Sequence, residues 1–109
     1  MKKVALKTVE VGDENPIKLS YLAQMIECLA NPENPQSGTN YDEMARVMPI
    51  IERLEGVKPN AKFVLLEDAQ HEEIARRVKS IPYVRNDRVL LEMMNAIVNA
   101  ENAEIKEAG

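Results

Sequence analysis

Two short parts of the chain have the pattern of apolar residues expected of β-strands, and in the first of them apolar and polar residues alternate with a period of two. From residues 3 to 11, Val4 and Leu6 face one way while the residues between them face the other. The second stretch, residues 62 to 66, is short and rich in strand-forming side chains. Because a lone strand would leave its backbone groups unpaired, the two stretches are expected to pair with each other.

Elsewhere apolar residues recur every three or four positions, which is the spacing of amphipathic helices. This spacing predicts four helices, at residues 21–30, 41–55, 69–80 and 87–101. Ser20, Asn40 and Asn86 precede three of them and are typical N-cap residues. Pro49 lies inside the second helix, where its missing backbone donor predicts a kink or a tightened turn.

The apolar residues of the second helix are expected to share one face of that helix, since their spacing follows the helical repeat. These residues are Tyr41, Met44, Val47, Met48, Ile51 and Leu54. The ten residues before this helix, 31–40, contain two prolines and Gly38, which predicts an exposed loop.

These elements predict a single α+β domain over residues 1–109. It is expected to be mostly helical, with four helices and a small two-stranded sheet that pairs residues 3–11 with 62–66. A chain of 109 residues is long enough to bury one hydrophobic core. The last residues, 102–109, are predicted to form a frayed tail.

Composition narrows the class of protein. The chain carries 14 Lys and Arg against 18 Asp and Glu, a net charge of -4 that disfavours wholesale wrapping of nucleic acid. Its single cysteine, Cys28, excludes an internal disulfide framework. Lys7 and Glu10 interrupt the apolar run near the start, so no export signal is expected, and no stretch is apolar enough for a membrane span. We therefore expect a cytoplasmic protein that has no contact with membranes.

Candidate catalytic and metal-binding chemistry is sparse. The segment beginning at His71 is like the first half of a helical zinc-protease motif, but Ala75 stands where the second histidine is required. His71 is therefore expected to be an exposed polar residue in the first turns of its helix. Neighbouring carboxylates such as Asp42 and Glu43 point about 100° apart on a helix and do not converge. The sequence predicts no enzyme activity, no metal, no cofactor and no small-molecule substrate.

A basic stretch within this acidic chain suggests one alternative function. Five cations lie between residues 76 and 88, and they are Arg76, Arg77, Lys79, Arg85 and Arg88. Two helices joined by a short turn in this region favour a helix-turn-helix nucleic-acid-binding regulator, whose last helix would enter the major groove.

The pattern of opposite charges makes that alternative the weaker one. Glu72 and Glu73 stand four residues before Arg76 and Arg77, which favours ion pairs within the helix. The following helix carries almost no side chain that could read a base edge. We therefore regard nucleic acid as an unlikely partner.

The last helix is unusually apolar. At about 100° per residue its apolar side chains cover an arc of roughly 220°, about twice what one core-facing stripe requires. Such a helix either lies at the centre of the domain or contributes one flank to an interface, and both possibilities stay open from the sequence. The predicted partner-binding residues are Leu90, Leu91, Met94 and Val98. The partner would be a second copy, giving a homo-oligomer, or a larger protein.

The order of elements also resembles that of a known group of proteins. A Val4-Ala5-Leu6 strand comes first, followed by an Asn31-Pro32 loop and a capped middle helix that ends at Glu55-Gly56. Phe63 to Asp68 then form a strand-to-helix junction, and an apolar helix comes last. This layout, which covers most of the chain, resembles small uncharacterised proteins of tailed bacteriophages and prophages. The resemblance implies a non-enzymatic binding or assembly role among virion genes, in the bacterial cytoplasm or the virion, and it implies no catalytic residue.

Overall fold

The computed structural model describes residues 1–12, 14–32, 34, 36–83 and 86–102. The elements in these residues are, in chain order, β1 (Lys2–Ala5), β2 (Thr8–Val11), β3 (Ile17–Ser20), α1 (Tyr21–Ala30), α2 (Tyr41–Glu55), β4 (Phe63–Leu66), α3 (Asp68–Ser80), α4 (Arg88–Val98) and β5 (Glu101–Asn102). The predicted α+β fold, with four helices and a small antiparallel sheet, is confirmed. None of these helices is long and apolar enough to cross a membrane.

The first two helices have the predicted bounds because each begins at a strong cap. The Ser20 hydroxyl accepts a hydrogen bond from the Ala23 backbone N–H at 3.2 Å. The Asn40 side chain accepts one from the Glu43 N–H at 2.9 Å. Each bond satisfies a donor that the first turn of a helix leaves free. Pro49 is accommodated inside α2, which continues to Glu55.

The last helix differs from its predicted bounds at both ends. Asp87, rather than Asn86, is the cap, and its carboxylate accepts hydrogen bonds from the N–H groups of Val89 at 2.8 Å and Leu90 at 3.2 Å. A carboxylate also interacts favourably with the positive end of the helix dipole. The helix ends at Val98 instead of residue 101, because Glu101 belongs to a strand.

The predicted pairing of the two strands is confirmed, although the sheet has more strands than expected. β1 pairs antiparallel with β4, and Val4 lies opposite Val64. The predicted strand over 3–11 is divided after Ala5, and its second half pairs with β3 in a separate hairpin. β5 adds to the free side of β1, which gives a three-stranded sheet in the order β4-β1-β5. Asn102, predicted to be frayed, thus lies in a strand, and residues 103–109 lie outside the described residues.

The core lies between the helices and one face of the three-stranded sheet. Val4, Val64 and Leu66 are buried on that inner face. On the outer face the ammonium of Lys3 lies 4.3 Å from the centre of the Phe63 ring. Along the outer edge of β4, the Arg53 Nε donates a hydrogen bond to the Leu65 carbonyl at 2.8 Å. The helices contribute most of the remaining buried apolar residues.

Candidate protein-binding surface

α4 is anchored on one side and exposed on the other. It packs against α3 and against the first two strands, and its Met93 and Ile97 are fully buried. Of the four residues predicted to bind a partner, Leu90, Met94 and Val98 pack partly against the core, and Leu91 lies on the side that these neighbours leave uncovered. Leu91 is 55% exposed, and Leu90, Met94 and Val98 are half-buried. We call these four residues the α4 flank.

The α4 flank borders a groove of about 610 Å³. Its lining consists of Tyr83, Asn86, Asp87, Arg88, Leu90, Leu91 and Met94. Tyr83 reaches from the groove towards α1, where burial, together with the nearby Cys28, raises the pKa of its hydroxyl to about 12. The hydroxyl therefore stays protonated at neutral pH, and the groove gains no negative charge from this residue.

His71 fixes the other end of α4, and its predicted exposure is wrong. The side chain is buried, and its Nε2 lies 2.7 Å from the Ile97 carbonyl oxygen. Carbonyls in the last turn of a helix receive no hydrogen bond from an N–H group of that helix. An imidazole N–H is therefore a suitable donor for the Ile97 carbonyl. His71 therefore joins α3 to the C-terminal end of α4, and this contact holds the α4 flank in position.

The described cations of the basic stretch do not all lie at the surface, where nucleic-acid binding would require them. Arg77 is fully buried, so its predicted role in the nucleic-acid alternative is wrong. Its Nη1 donates to the Asn31 carbonyl at 3.0 Å, and its Nη2 lies 3.2 Å from Glu43 Oε1. A guanidinium with these partners inside the protein cannot reach a phosphate.

The buried Glu73 carboxylate interacts with three guanidinium groups. Its oxygens accept hydrogen bonds from Arg46 and Arg76, and the Arg77 Nε lies 3.5 Å away. Burial alone would raise the pKa of Glu73, but the Arg46 hydrogen bond and the surrounding positive charges outweigh burial and lower it. The carboxylate therefore stays ionised at neutral pH and serves as the centre of an ion-pair network joining α2 to α3.

Among the described residues, the other cations of the basic stretch lie at the surface. Lys79 and Arg88 are exposed, and Arg85 lies outside the described residues. Arg76, half-exposed, pairs with Glu73 one turn away. The described cations are thus divided between the Glu73 network and the protein surface.

A second exposed apolar surface, on α2, was not predicted. Of the six residues expected to share one face, Val47, Ile51 and Leu54 are buried. The other three, Tyr41, Met44 and Met48, are 83%, 50% and 43% exposed. We call these three residues the α2 stripe. Ile50 is also buried, so the apolar arc of α2 is about 180° wide. An arc of this width exceeds what one core-facing stripe requires, and it is the sequence signal of an excess apolar flank on α2.

A further groove, of about 890 Å³, lies over the outer face of the three-stranded sheet. Its lining carries charges of both signs, with Lys3 and Lys62 on one side and Glu101 on the other. Such a lining selects neither an anion nor a cation. Among the residues that the structure describes, no group of three or more His, Cys, Asp or Glu side chains could hold a metal ion.

No protein-family model, curated protein or solved structure matches the chain. The α4 flank and the α2 stripe are therefore interpreted from their own residues.

Proposed function

We propose that the protein is a non-enzymatic interaction or assembly module that binds protein through the α4 flank. The exposure of Leu91 carries this proposal, because a large aliphatic side chain faces solvent beside three half-buried apolar neighbours. Contiguous apolar surface of this kind marks protein contacts in soluble proteins. Fully burying one leucine side chain is worth about 1.5–3 kcal/mol.

The surroundings of the α4 flank suit a protein partner better than a nucleic acid. The apolar part of the groove lining consists of Leu90, Leu91 and Met94, together with the ring of Tyr83. Contacts with phosphate groups would instead require clustered cations. A methionine side chain adapts its shape to a partner, which is useful on a contact surface. The burial of Arg77 also removes a central cation from the competing nucleic-acid surface.

The proposed biological setting is virion assembly in a phage or prophage. This part of the proposal rests on the layout of strands and helices described above. The partner is a second copy of the chain or a larger assembly component, and the same flank serves either one.

A charge placed on the α4 flank tests the proposal. We expect Leu91→Asp to weaken association at least about tenfold, because the new carboxylate would be desolvated in the contact. Light scattering measures the mass against concentration, and urea unfolding measures stability. The control Ala23→Asp puts the same charge on an exposed position of α1 and should leave association unchanged.

Two outcomes would contradict the proposal, and a third would restrict it to a larger partner. The Leu91→Asp variant could associate like the native chain, or it could lose cooperative unfolding, which would place the flank in the core. A native chain that stays monomeric up to about 1 mM would contradict self-association through this flank.

A further inference from the structure

We propose that the occupant of the α4 flank is the α2 stripe of a second copy of the chain. This inference rests on the proposed function and names its partner. Both surfaces are apolar, both lie on helices, and both include exposed side chains, which are Leu91 on α4 and all three residues of the α2 stripe. Each chain therefore carries the two halves of one contact.

The two surfaces match in spacing. Leu91, Met94 and Val98 occupy positions i, i+3 and i+7 of α4. Tyr41, Met44 and Met48 occupy the same three positions of α2. At a rise of 1.5 Å per residue, each set spans about 10 Å along its helix. Side chains at this spacing form one continuous ridge on a helix, so the two ridges can pack along their whole length.

The charges next to these ridges fix the direction of packing. Arg88 lies one turn before Leu91 and is exposed. Glu52 lies one turn after Met48, is also exposed, and is followed by Glu55 on the same face. When the helices run antiparallel, Leu91 lies beside Met48 and Arg88 meets Glu52. Antiparallel packing also brings helix ends of opposite dipole together.

Other ways of pairing the same two surfaces bring fewer opposite charges together. The α2 face that holds the stripe carries Glu52 and Glu55 but no Lys or Arg, so two copies of this face would leave their acidic ends without a cation. A parallel pairing of α4 with α2 would move Arg88 away from both glutamates. The antiparallel heterotypic pair therefore has the best charge complementarity.

A contact between two short helix faces is smaller than the roughly 1,600 Å² of a standard protein interface. We therefore expect association that depends strongly on protein concentration. Because one contact joins two different surfaces, a pair of chains keeps one free α2 stripe on one chain and one free α4 flank on the other. Copies can then add head to tail until a ring closes, or two copies can exchange both contacts.

A mixing experiment tests the heterotypic contact directly. The variant Leu91→Asp has a damaged α4 flank and an intact α2 stripe, whereas Met48→Asp has the reverse. We expect each variant alone to associate at least about tenfold more weakly than the native chain. Mixed in equal amounts, they should form a 1:1 dimer through their one intact contact, with twice the chain mass of 12.3 kDa. Light scattering and native mass spectrometry of the mixture measure this dimer.

Other outcomes separate this inference from the proposed function. If Met48→Asp associates like the native chain while Leu91→Asp does not, two α4 flanks pair and only the inference is overturned. If both variants dissociate but their mixture forms no dimer, the inference is also overturned while the α4 flank keeps its role. If Leu91→Asp associates normally, both proposals fail.

One further variant protects the test from trivial loss of folding, and two charge changes test the direction of packing. Tyr41→Asp also damages the α2 stripe, and because Tyr41 is 83% exposed, its replacement leaves the core intact. Adding Arg88→Glu to the Met48→Asp chain should weaken the mixed dimer several-fold through like charges. Adding Glu52→Arg to the Leu91→Asp chain should restore it, and failure of this rescue would contradict the antiparallel direction.

Discussion

The helices α3 and α4 pack against each other, but α3 buries polar residues whereas α4 leaves apolar residues exposed. Eight of the eleven residues of α4 are apolar, yet only Met93 and Ile97 are buried. Only four of the thirteen residues of α3 are apolar, yet it buries five residues, and three of these are His71, Glu73 and Arg77. Composition alone would have placed α4 at the centre and α3 at the surface.

The positions of the helices in the fold explain this difference. α3 packs against both α1 and α4, so side chains on both of its sides are covered. α4 has α3 and the strands on one side, and its remaining flank faces solvent. A polar helix between two neighbours must pair its buried charges, whereas an apolar helix at the edge can keep unpaired apolar surface. The buried ion pairs of α3 and the exposed leucine of α4 thus both follow from the number of neighbours that each helix has in the fold.

The largest expected effect is the loss of the buried charge of α3. We expect Arg77→Met to lower the free energy of unfolding by about 3–5 kcal/mol, because it leaves the buried Glu73 carboxylate and the partly buried Glu43 carboxylate with fewer partners. Urea unfolding at neutral pH measures this loss. The control Lys79→Met changes an exposed cation of the same helix and should change stability by less than about 0.5 kcal/mol. Similar losses in the two variants would remove the distinction drawn between buried and exposed cations.

Within α4, truncation should separate the anchored side from the flank. Met93→Ala creates a cavity in the core and should cost about 2–5 kcal/mol in the free energy of unfolding. Leu91→Ala removes a side chain that is already 55% exposed and should cost less than about 0.5 kcal/mol in the monomer. Both values come from urea unfolding at a concentration where the chain is monomeric. Equal costs would mean that the flank is part of the core.

The junction of the two helices should show an intermediate effect. His71→Ala removes the partner of the Ile97 carbonyl and should cost about 1–3 kcal/mol in the free energy of unfolding. Hydrogen exchange should increase first at the C-terminal turn of α4. His71→Gln keeps a donor at this position, and it should recover part of the loss. Uniform exchange along α4 in His71→Ala would contradict a local role for this contact.

The smallest expected effect is a dependence of stability on pH. A hydrogen bond with Thr39 and the charges of Arg77 and Arg46 lower the pKa of Glu43, and the guanidinium network lowers that of Glu73. A carboxylate whose pKa is lower in the folded state adds stability above its unfolded pKa, about 4.3. That stability is lost as the pH falls through the folded value. Urea unfolding between pH 7 and pH 3 should therefore show decreasing stability below about pH 4.3, and Glu73→Gln should reduce this slope. An unchanged slope in that variant would exclude Glu73 as a source of the dependence.

Local signals in the sequence predicted much of the fold. The caps Ser20 and Asn40 fixed the starts of α1 and α2, since their hydrogen bonds form within three residues. The pairing of β1 with β4 followed from the need of each strand for a partner. The strands β3 and β5 were missed. β3 alternates apolar and polar residues but runs directly into the cap of α1, and β5, with two residues, carries too little pattern.

The candidate surface was predictable in part. The apolar arc of the last helix indicated an uncovered flank, although only the structure shows that Leu91 is its most exposed residue. The spacing of Glu73 and Arg77 indicated an ion pair, and that pair is present. Its burial depends on contacts with Asn31 and Glu43, which come from other parts of the chain and leave no local pattern.

The bond between Arg53 and the Leu65 carbonyl has a consequence for aggregation. Alternate residues of an antiparallel strand point their backbone groups away from the partner strand, and at an outer edge such groups can template the addition of another chain. A charged side chain that occupies one of these carbonyls makes β4 a poor template for cross-β growth. The Arg53 side chain thus disfavours association of two chains through the β4 edge, and it leaves the exposed helix surfaces unobstructed.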